Sequence, residues 1–474
     1  MKKLLLSAAC LFAVGSLFAA SLVTDPATYN VGANYTFENV WIQSRTAGGF
    51  PATGGYSATD MSRGMAVIGG KILITKRIPP AVATDFTVCQ VLVYDGATGD
   101  LLKTVALPDT MFTVKGTDGV VSQTGLPAND IQIDDAGNIL IANYTPNLYT
   151  SPYQIYKIDI DFTAGTVTAA KRILNYKEPF EGAVAPGTMR IDYFNVFGDV
   201  MGNGYLMGSV GGIVVNYGNT VIKWGIVNGV TNDFMDQIII KEYVPASATG
   251  NDTGSRVTPL SETLFYLDGQ LSYATLYDMD GNYVDGFKNN LTTDFAKNMI
   301  PGNNGVDEFM LGDKSFMVFS YRNTTGTPAS SWAIAEIDPS GIAPINPLTV
   351  FPAAGMGSIS NGVRTALPRI EVIGDVAYIY VYGCNNGLGA YKFAKSVPNA
   401  IDENQASNVT ISLKDNKIVV SEEVASVEVY SVTGQKMALV MNVSSIDAPV
   451  AKGIYIITIV DKAGAKKVQK VAIN

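Results

Sequence analysis

Histidine is missing from all 474 residues. That one absence excludes Ser-His-Asp and Cys-His catalysis, HExxH zinc sites and every imidazole proton relay. Cysteine is scarce too: there are three, and Cys10 falls within the apolar N-terminal run. Cys89 and Cys384 could form one disulfide in an exported protein, but the favoured reading is two buried small hydrophobes. P-loop, GxGxxG and CxxC motifs are absent. Positive charge is short: 33 Lys+Arg face 42 Asp+Glu, a net charge of -9, with no basic run. An acidic chain repels phosphate backbones, so nucleic acid is not an expected partner. No apolar run beyond the N-terminus is long enough to span a bilayer, so the mature chain is expected to have no transmembrane segment. No cofactor and no metal site is expected.

Residues 1–21 read as a signal peptide. Lys2 and Lys3 precede an apolar run over 4–18, and small residues follow at Ala19, Ala20 and Ser21. Ser7-Ala8-Ala9-Cys10 is a poor lipoprotein box.

The rest is strand-forming: 47% of residues are hydrophobic, with 47 Gly and 24 Tyr, and no long amphipathic helix pattern appears. Residues 129–143, NDIQIDDAGNILIAN, set the pattern. Ile131 and Ile133 alternate with polar neighbours, Ile139 and Ile141 do so again, and Asp134-Asp135-Ala136-Gly137-Asn138 supplies a turn. From about Arg63 such units recur roughly every 60 residues, long for a hairpin and suited to a four-stranded unit. The sixth unit stops one strand short, and residues 37–43 (FENVWIQ) form an early strand with no hairpin partner nearby. The expected fold is therefore an all-β, six-bladed β-propeller over residues 35–397, closed by pairing the N-terminal strand with the last blade. Two packed sheets and a seven-bladed ring with a degenerate member are the alternatives. Residues 21–33 read as a lead-in without periodicity.

Residues 398–407 break the pattern with Pro, Asn, Asp, Glu and Gln and read as a linker. Beyond it, residues 408–474 alternate cleanly through at most seven short strands, suited to a small immunoglobulin-like β-sandwich. Within it, VEVYSVTGQKM (427–437), KGIYIITIVDKAG (452–464) and the basic last strand KKVQKVAIN (466–474) occur in order. This tail resembles the type A C-terminal sorting domain of type IX secretion. Tyr430, Gly434, Gly453 and Tyr455 carry the likeness, Gly434 allowing the tight turn and the two tyrosines supplying core area. The resemblance implies the type IX secretion machinery as partner. It also implies a passenger that crosses the outer membrane and is released or held at the cell surface. An ordinary accessory domain is the other reading.

In a propeller the residues opening each module converge on the axis. Those positions hold Arg63, Asp130, Arg190, Arg256, Asp307 or Glu308, and Arg369, an arginine-rich funnel suited to carboxylates, sulfates or acidic sugars. The same residues could instead pair with one another across the channel. No motif assigns catalysis. Arg77-Ile78-Pro79 is a weak likeness to the arginine cluster of six-bladed sialidases, since it ends a second strand instead of opening a module. DMDGN (278–282) lacks the ligands of a calcium loop and reads as a turn. The favoured function is binding or scaffolding of a glycan or peptide. The alternative is a secreted glycoside hydrolase acting on acidic glycans, with Asp130 and Asp307 or Glu308 as its carboxylate pair. A purely structural surface protein is the third possibility.

Overall fold

A strand pair needs a turn whose polar groups satisfy each other, and this chain builds it from one repeated device. Asp134 Oδ1 accepts hydrogen bonds from the amides of Ala136 and Asn138 at 3.1 and 2.7 Å, while Asn138 Nδ2 donates to Asp134 Oδ2 at 2.8 Å. Gly137, at φ +84°, takes the left-handed conformation between them. Asp278 repeats the arrangement: it accepts from the amides of Asp280 and Asn282 at 3.0 and 2.8 Å and from Asn282 Nδ2 at 2.8 Å. These bonds hold the Asp278 carboxyl below its ordinary range, the Asn282 side chain first among them. DMDGN is thus a turn. Among the described residues no cluster of three or more Cys, Asp or Glu could hold a metal ion.

The computed structural model describes residues 28–32, 34–44, 62–82, 85–148, 151–177, 190–211, 220–232, 236–241, 255–269, 274–286, 305–321, 330–337, 347–356, 365–384, 386–396, 409–431, 436–449, 452–462 and 465–473. The expected signal peptide and linker, and Gly434, lie outside them. The described residues are all-β, and no helix among them is long and apolar enough to cross a membrane. The chain divides into two compact units between Lys395 and Ser396.

The first unit opens with the hairpin β1 (Thr28–Val31) and β2 (Tyr35–Ser44). A meander follows, β3 (Met65–Ile68), β4 (Lys71–Ile78), β5 (Val88–Asp95) and β6 (Leu101–Ala106), then a small hairpin, β7 (Thr113–Lys115) and β8 (Val121–Gln123). The second meander is β9 (Leu126–Ile133), β10 (Ile139–Tyr144), β11 (Tyr153–Asp161) and β12 (Thr166–Tyr176). A single parallel pair, Thr166 with Ala106, joins β12 to β6 and merges these two meanders into one eight-stranded sheet. The third is β13 (Arg190–Gly198), β14 (Gly204–Gly211) and β15 (Thr220–Val227), with β16 (Val230–Thr231) and β17 (Asp236–Ile239) both paired to β15. The fourth is β18 (Arg256–Pro259), β19 (Leu264–Asp268), β20 (Thr275–Asp278) and β21 (Tyr283–Gly286). The fifth is β22 (Val306–Leu311), β23 (Lys314–Tyr321), β24 (Ser330–Ile337) and β25 (Pro347–Met356). The last, β26 (Ala366–Ile373), β27 (Val376–Gly383) and β28 (Gly387–Lys395), takes its fourth strand from β2.

The inner strands bury both faces, as β4, β10 and β24 show, whereas outer strands such as β6 and β12 are largely exposed. In β4, Ile72 and Ile74 pack with Tyr94, Tyr380 and Trp41 between the last and first meanders, while Leu73 packs with Val91 and Ile141 between the first and second. Tyr153, Phe194 and Trp224 fill the next layer, and Tyr205, Phe265 and Tyr277 the one after. Tyr266, Leu276 and Phe319 pack between the fourth and fifth meanders, and Phe37, Phe316, Trp332 and Phe393 between the fifth and sixth. Among the described residues one apolar cluster lies between each consecutive pair of meanders and one between the last and the first, a cycle of packing contacts.

β2 closes that cycle. Phe37 lies opposite Phe393, Asn39 opposite Tyr391 and Trp41 opposite Ala390. From the same strand, Trp41 Nε1 donates to the Gly96 carbonyl at 2.9 Å and Gln43 Nε2 to the Gly99 carbonyl at 2.8 Å, both in the β5–β6 turn. The N-terminal strand thus belongs to the last sheet by its backbone and to the first by its side chains. Cys89 and Cys384 are both buried and are not joined in a disulfide.

Several details differ from the sequence reading. β1 forms inside the stretch read as aperiodic, because its partner β2 supplies the pairing that four residues cannot specify alone. In the third meander the sequence suggests strands at 212–215 and 221–224 as the second pair; Thr220–Val227 is instead the third strand, β16 and β17 fill the edge, and 212–215 lies outside the described residues. Among the described residues the second unit has five strands: β29 (Ile411–Lys414), β30 (Lys417–Ser431), β31 (Lys436–Asp447), β32 (Gly453–Val460) and β33 (Lys466–Ile473). Residues 417–420 and 427–432, which the sequence suggests as separate strands, join in β30, whose register against β31 shifts between Val419 and Val424 at a bulge. Tyr455 joins Val427, Val429 and Ile457 in the core, but Tyr430 does not. It shares the opposite face of β30 with Glu428, to which its hydroxyl donates at 2.6 Å, and Lys436 Nζ lies 5.5 Å from its ring.

All three tryptophans, Trp41, Trp224 and Trp332, lie in the first unit, so its unfolding can be followed by tryptophan fluorescence. Trp41→Ala is expected to destabilise that unit by about 3–5 kcal/mol, and Trp41→Phe, which loses mainly the bond to Gly96, by about 1 kcal/mol. Denaturant titration checks both, and near-equal losses would show that the indole nitrogen outweighs packing.

Candidate functional site

The first strand of each meander lies at the centre of the cycle: β3 packs on β9, β9 on β13, β13 on β18, β22 on β26, and β26 back on β3. Approach there is close. A Cβ on Gly64, the residue before β3, would lie 2.6 Å from the Ile131 amide nitrogen, so only glycine fits. Charged side chains in so narrow a space must find partners.

At the end where the first strands begin, Asp192 is 2% exposed and sits between two guanidiniums. Arg190 Nε and Nη2 donate to its two oxygens at 2.7 and 2.9 Å, and Arg63 Nη1 lies 3.6 Å away. Both arginines flank the Tyr144 ring, at 4.9 Å for Arg190 and 5.9 Å for Arg63. Burial acts to lower the Arg190 pKa, but the charge of Asp192 and its hydrogen bonds outweigh that and leave it raised. Arg77 Nη1 donates to Asn129 Oδ1 at 2.9 Å, and Asn129 Nδ2 donates to the Asp192 carbonyl. Burial, then the nearby Arg63, lowers Arg77 to about 10.

Deeper in, Arg256 lies 4.1 Å from the Tyr193 ring centre and donates through Nη1 to Asp130 Oδ2 at 3.2 Å. That oxygen also accepts from Gln132 Nε2 at 3.1 Å and the Phe194 amide at 3.2 Å. Arg369 Nη2 donates to Gln132 Oε1 at 3.0 Å. Arg256, Asp130, Gln132 and Arg369 therefore form a chain across the axis, joining β18, β9 and β26, which are not neighbours in the cycle. Arg256 Nε and Nη2 and Asp130 Oδ1 are buried and have no hydrogen-bond partner among the described residues.

Where the first strands end, a cavity of about 310 Å³ is lined from all six: β3 by Ala66, β9 by Gln132, β13 by Asn195, β18 by Thr258, β22 by Asp307 and β26 by Arg369. Burial raises Asp307 to about 6 against the opposing charge of Arg369. Glu308 turns away from the cavity and accepts from the Tyr266 hydroxyl at 2.5 Å; burial, opposed by that bond, raises it to about 7.

The seven residues anticipated for the axis therefore separate. Arg63, Asp130, Arg190 and Arg256 gather at one mouth, Arg369 and Asp307 line the other, and Glu308 faces the fourth meander. Asp192, Asn129 and Tyr193 were not anticipated, and Arg77, weighed only as a weak likeness to a sialidase arginine, joins them. Arg190-Ile191-Asp192 carried a readable signal, since residues two apart on a strand share a face. Arg77 reaches the cluster because the second strand runs antiparallel to the first, so its end lies beside the next strand's beginning.

Removing one partner of a buried pair leaves a bare charge. Asp130→Asn is expected to cost about 3–5 kcal/mol, and the double change Asp130→Leu with Arg256→Met much less; denaturant titration decides, and equal losses would show that packing dominates. The raised carboxylates give a pH prediction. Both groups contribute stability that is fully present below about pH 4, their unfolded range, and that is lost as pH rises through about 6 for Asp307 and about 7 for Glu308. Asp307→Asn and Glu308→Gln should each flatten the fall in melting temperature between pH 4 and 7, and an unchanged profile would contradict the assignment.

No family model and no curated protein matches the sequence. Solved structures do resemble it. A DUF4623 family protein from Bacteroides eggerthii matches with TM-score 0.51 and 13% identity over 72% of each chain, a likeness of fold alone. PorZ of Porphyromonas gingivalis, a surface component of its type-IX secretion system, matches with TM-score 0.31 and 11% identity over 95% of this chain and 66% of PorZ. The α-L-arabinofuranosidase Arb93A of Fusarium graminearum matches with TM-score 0.42 and 9% identity over 79% of this chain and 100% of the enzyme.

Proposed function

We propose that the first unit is a six-bladed β-propeller, exported and displayed at the cell surface through a type IX sorting tail, and that it binds an anionic glycan at its arginine-lined mouth. Six meanders, six apolar layers between them and first strands that meet at one axis support the blade count. The leader pattern and the tail motifs around Tyr430 and Tyr455 support the export route.

The observation that carries the binding reading is the free edge of Arg256. Its Nε and Nη2 form the fork that takes a carboxylate or sulfate bidentately, they are buried, and no hydrogen-bond partner meets them among the described residues. Tyr193 fixes the plane of the guanidinium. Around it, four guanidiniums (Arg63, Arg77, Arg190 and Arg256) face three carboxylates (Asp130, Asp192 and Asp268, the last opposite Arg256 in register), an excess of one positive charge in a chain of net charge -9. The half-buried Arg190 offers the way in.

A second reading, hydrolysis of such glycans, draws on Asp307, which burial holds protonated up to about pH 6 as an acid catalyst requires. Asp130 does not supply the companion carboxylate, being fully buried and committed to Arg256, Gln132 and the Phe194 amide.

A glycan array comparing uronate-bearing and sulfated glycans with neutral ones, read alongside product release, tests this. The expected result is preferential capture of acidic glycans, weakened at least tenfold by Arg190→Gln. An array without acidic preference, or affinity untouched by Arg190→Gln, would reject it.

A further inference from the structure

We infer that the cavity at the opposite mouth is a second binding site, one that takes a neutral sugar unit. The inference stands apart from the arginine mouth and holds whether or not Asp307 acts as an acid.

Three observations carry it. The cavity, at about 310 Å³, lies at the lower end of the range of small-ligand pockets and suits one or two sugar rings. It opens to solvent at Asp135, which is exposed, and the Asp135 carboxylate is positioned by accepting from the Gly198 amide at 2.9 Å. Its rim includes the Asp134–Asn138 turn, which is held by internal hydrogen bonds, so this side of the site is built in advance of any ligand.

Its chemistry is that of hydroxyl recognition. Asn195 accepts the Val196 amide on Oδ1, which leaves its NH2 group as a donor, and the Thr258 hydroxyl can donate and accept. Asp307 and Asp135 supply acceptors, and Arg369 and Gln132 face the same space while bonded to each other. Mixed donors and acceptors of this kind, spread round a ring of six strands, match the alternating hydroxyls of a pyranose. Ile133 and Ile370 add an apolar wall for its carbon face.

Charge decides against an anion here. Two carboxylates, Asp135 and Asp307, face one guanidinium, Arg369, and that guanidinium is already engaged by Gln132 and the Pro368 carbonyl. The Arg256–Asp130–Gln132–Arg369 chain closes the axis between the two mouths, so the positive excess at one does not serve the other.

Saturation-transfer NMR and calorimetry on the full chain, with the methyl glycosides of glucose, galactose, mannose and N-acetylglucosamine as probes and glucuronate as the anionic control, test the site. At least one methyl glycoside should bind, at least tenfold more tightly than glucuronate does at this cavity. Asn195→Ala and Thr258→Val should each weaken it about tenfold, and Arg190→Gln should leave it unchanged. Failure of all four glycosides to bind would overturn the inference, as would sugar binding that survives both cavity substitutions or is lost with Arg190→Gln. Loss of acidic-glycan capture alone would count against the arginine mouth and leave this site standing.

Discussion

Burial of both faces of each sheet's inner strands is the constraint on which this structure depends. A four-stranded meander with apolar residues on both sides cannot rest until two neighbours cover it, and each neighbour has the same requirement. A stack would leave two greasy end faces, whereas a cycle leaves none. That is why Ile72 and Leu73, adjacent in β4, serve two different cores. It is also why β2 matters beyond its length, since it fastens the last sheet by backbone pairing while Trp41 and Gln43 reach the first.

Closing a cycle has a consequence at its centre. Six first strands must converge, and the polar side chains they carry lose most of their water. Buried ion pairs seldom stabilise a protein relative to apolar packing of similar volume, because desolvation offsets the attraction. Stability alone would therefore favour leucine or methionine at these positions. The chain instead keeps Arg256 and Asp130 there, at 1% and 0% exposure, with atoms on both that meet no hydrogen-bond partner among the described residues. A structural pair would be expected to satisfy those atoms internally, and a recognition site would not.

Much of this was legible in the residues. Period-two alternation broken by Asp-x-x-Gly-Asn turns pointed to meanders, and the short sixth unit pointed to residues 37–43. Both signals are local, and local chemistry is what a sequence displays directly. Partner choice across the axis was not legible, because Asp192 and Arg77 lie on different meanders and only the closed cycle brings them together. Strand position within a unit failed where edges are weak. Asp236–Ile239 is mostly exposed and has no apolar stripe to announce it. Tyr430 was misassigned because β30 continues through its bulge, and that sets which face each residue shows.

The two mouths differ because strands have direction. All six first strands run the same way along the axis, so residues early in each gather at one end and residues late in each at the other. Arg63, Arg190 and Arg256 precede or open their strands and Thr258 and Asn195 fall further along theirs, whereas Asp307, second in β22, reaches the same cavity from near the start of its strand. A repeat that carries arginine at its start thus builds a positive mouth without any long-range design, and the polar residues that follow build a second mouth of opposite balance. Gln132 sits between, bonded to Asp130 toward one end and to Arg369 across the axis. Exchanging the order of charge along a single first strand would move that residue's influence from one mouth to the other while leaving the apolar layers intact, so the fold and the sites it carries can vary separately.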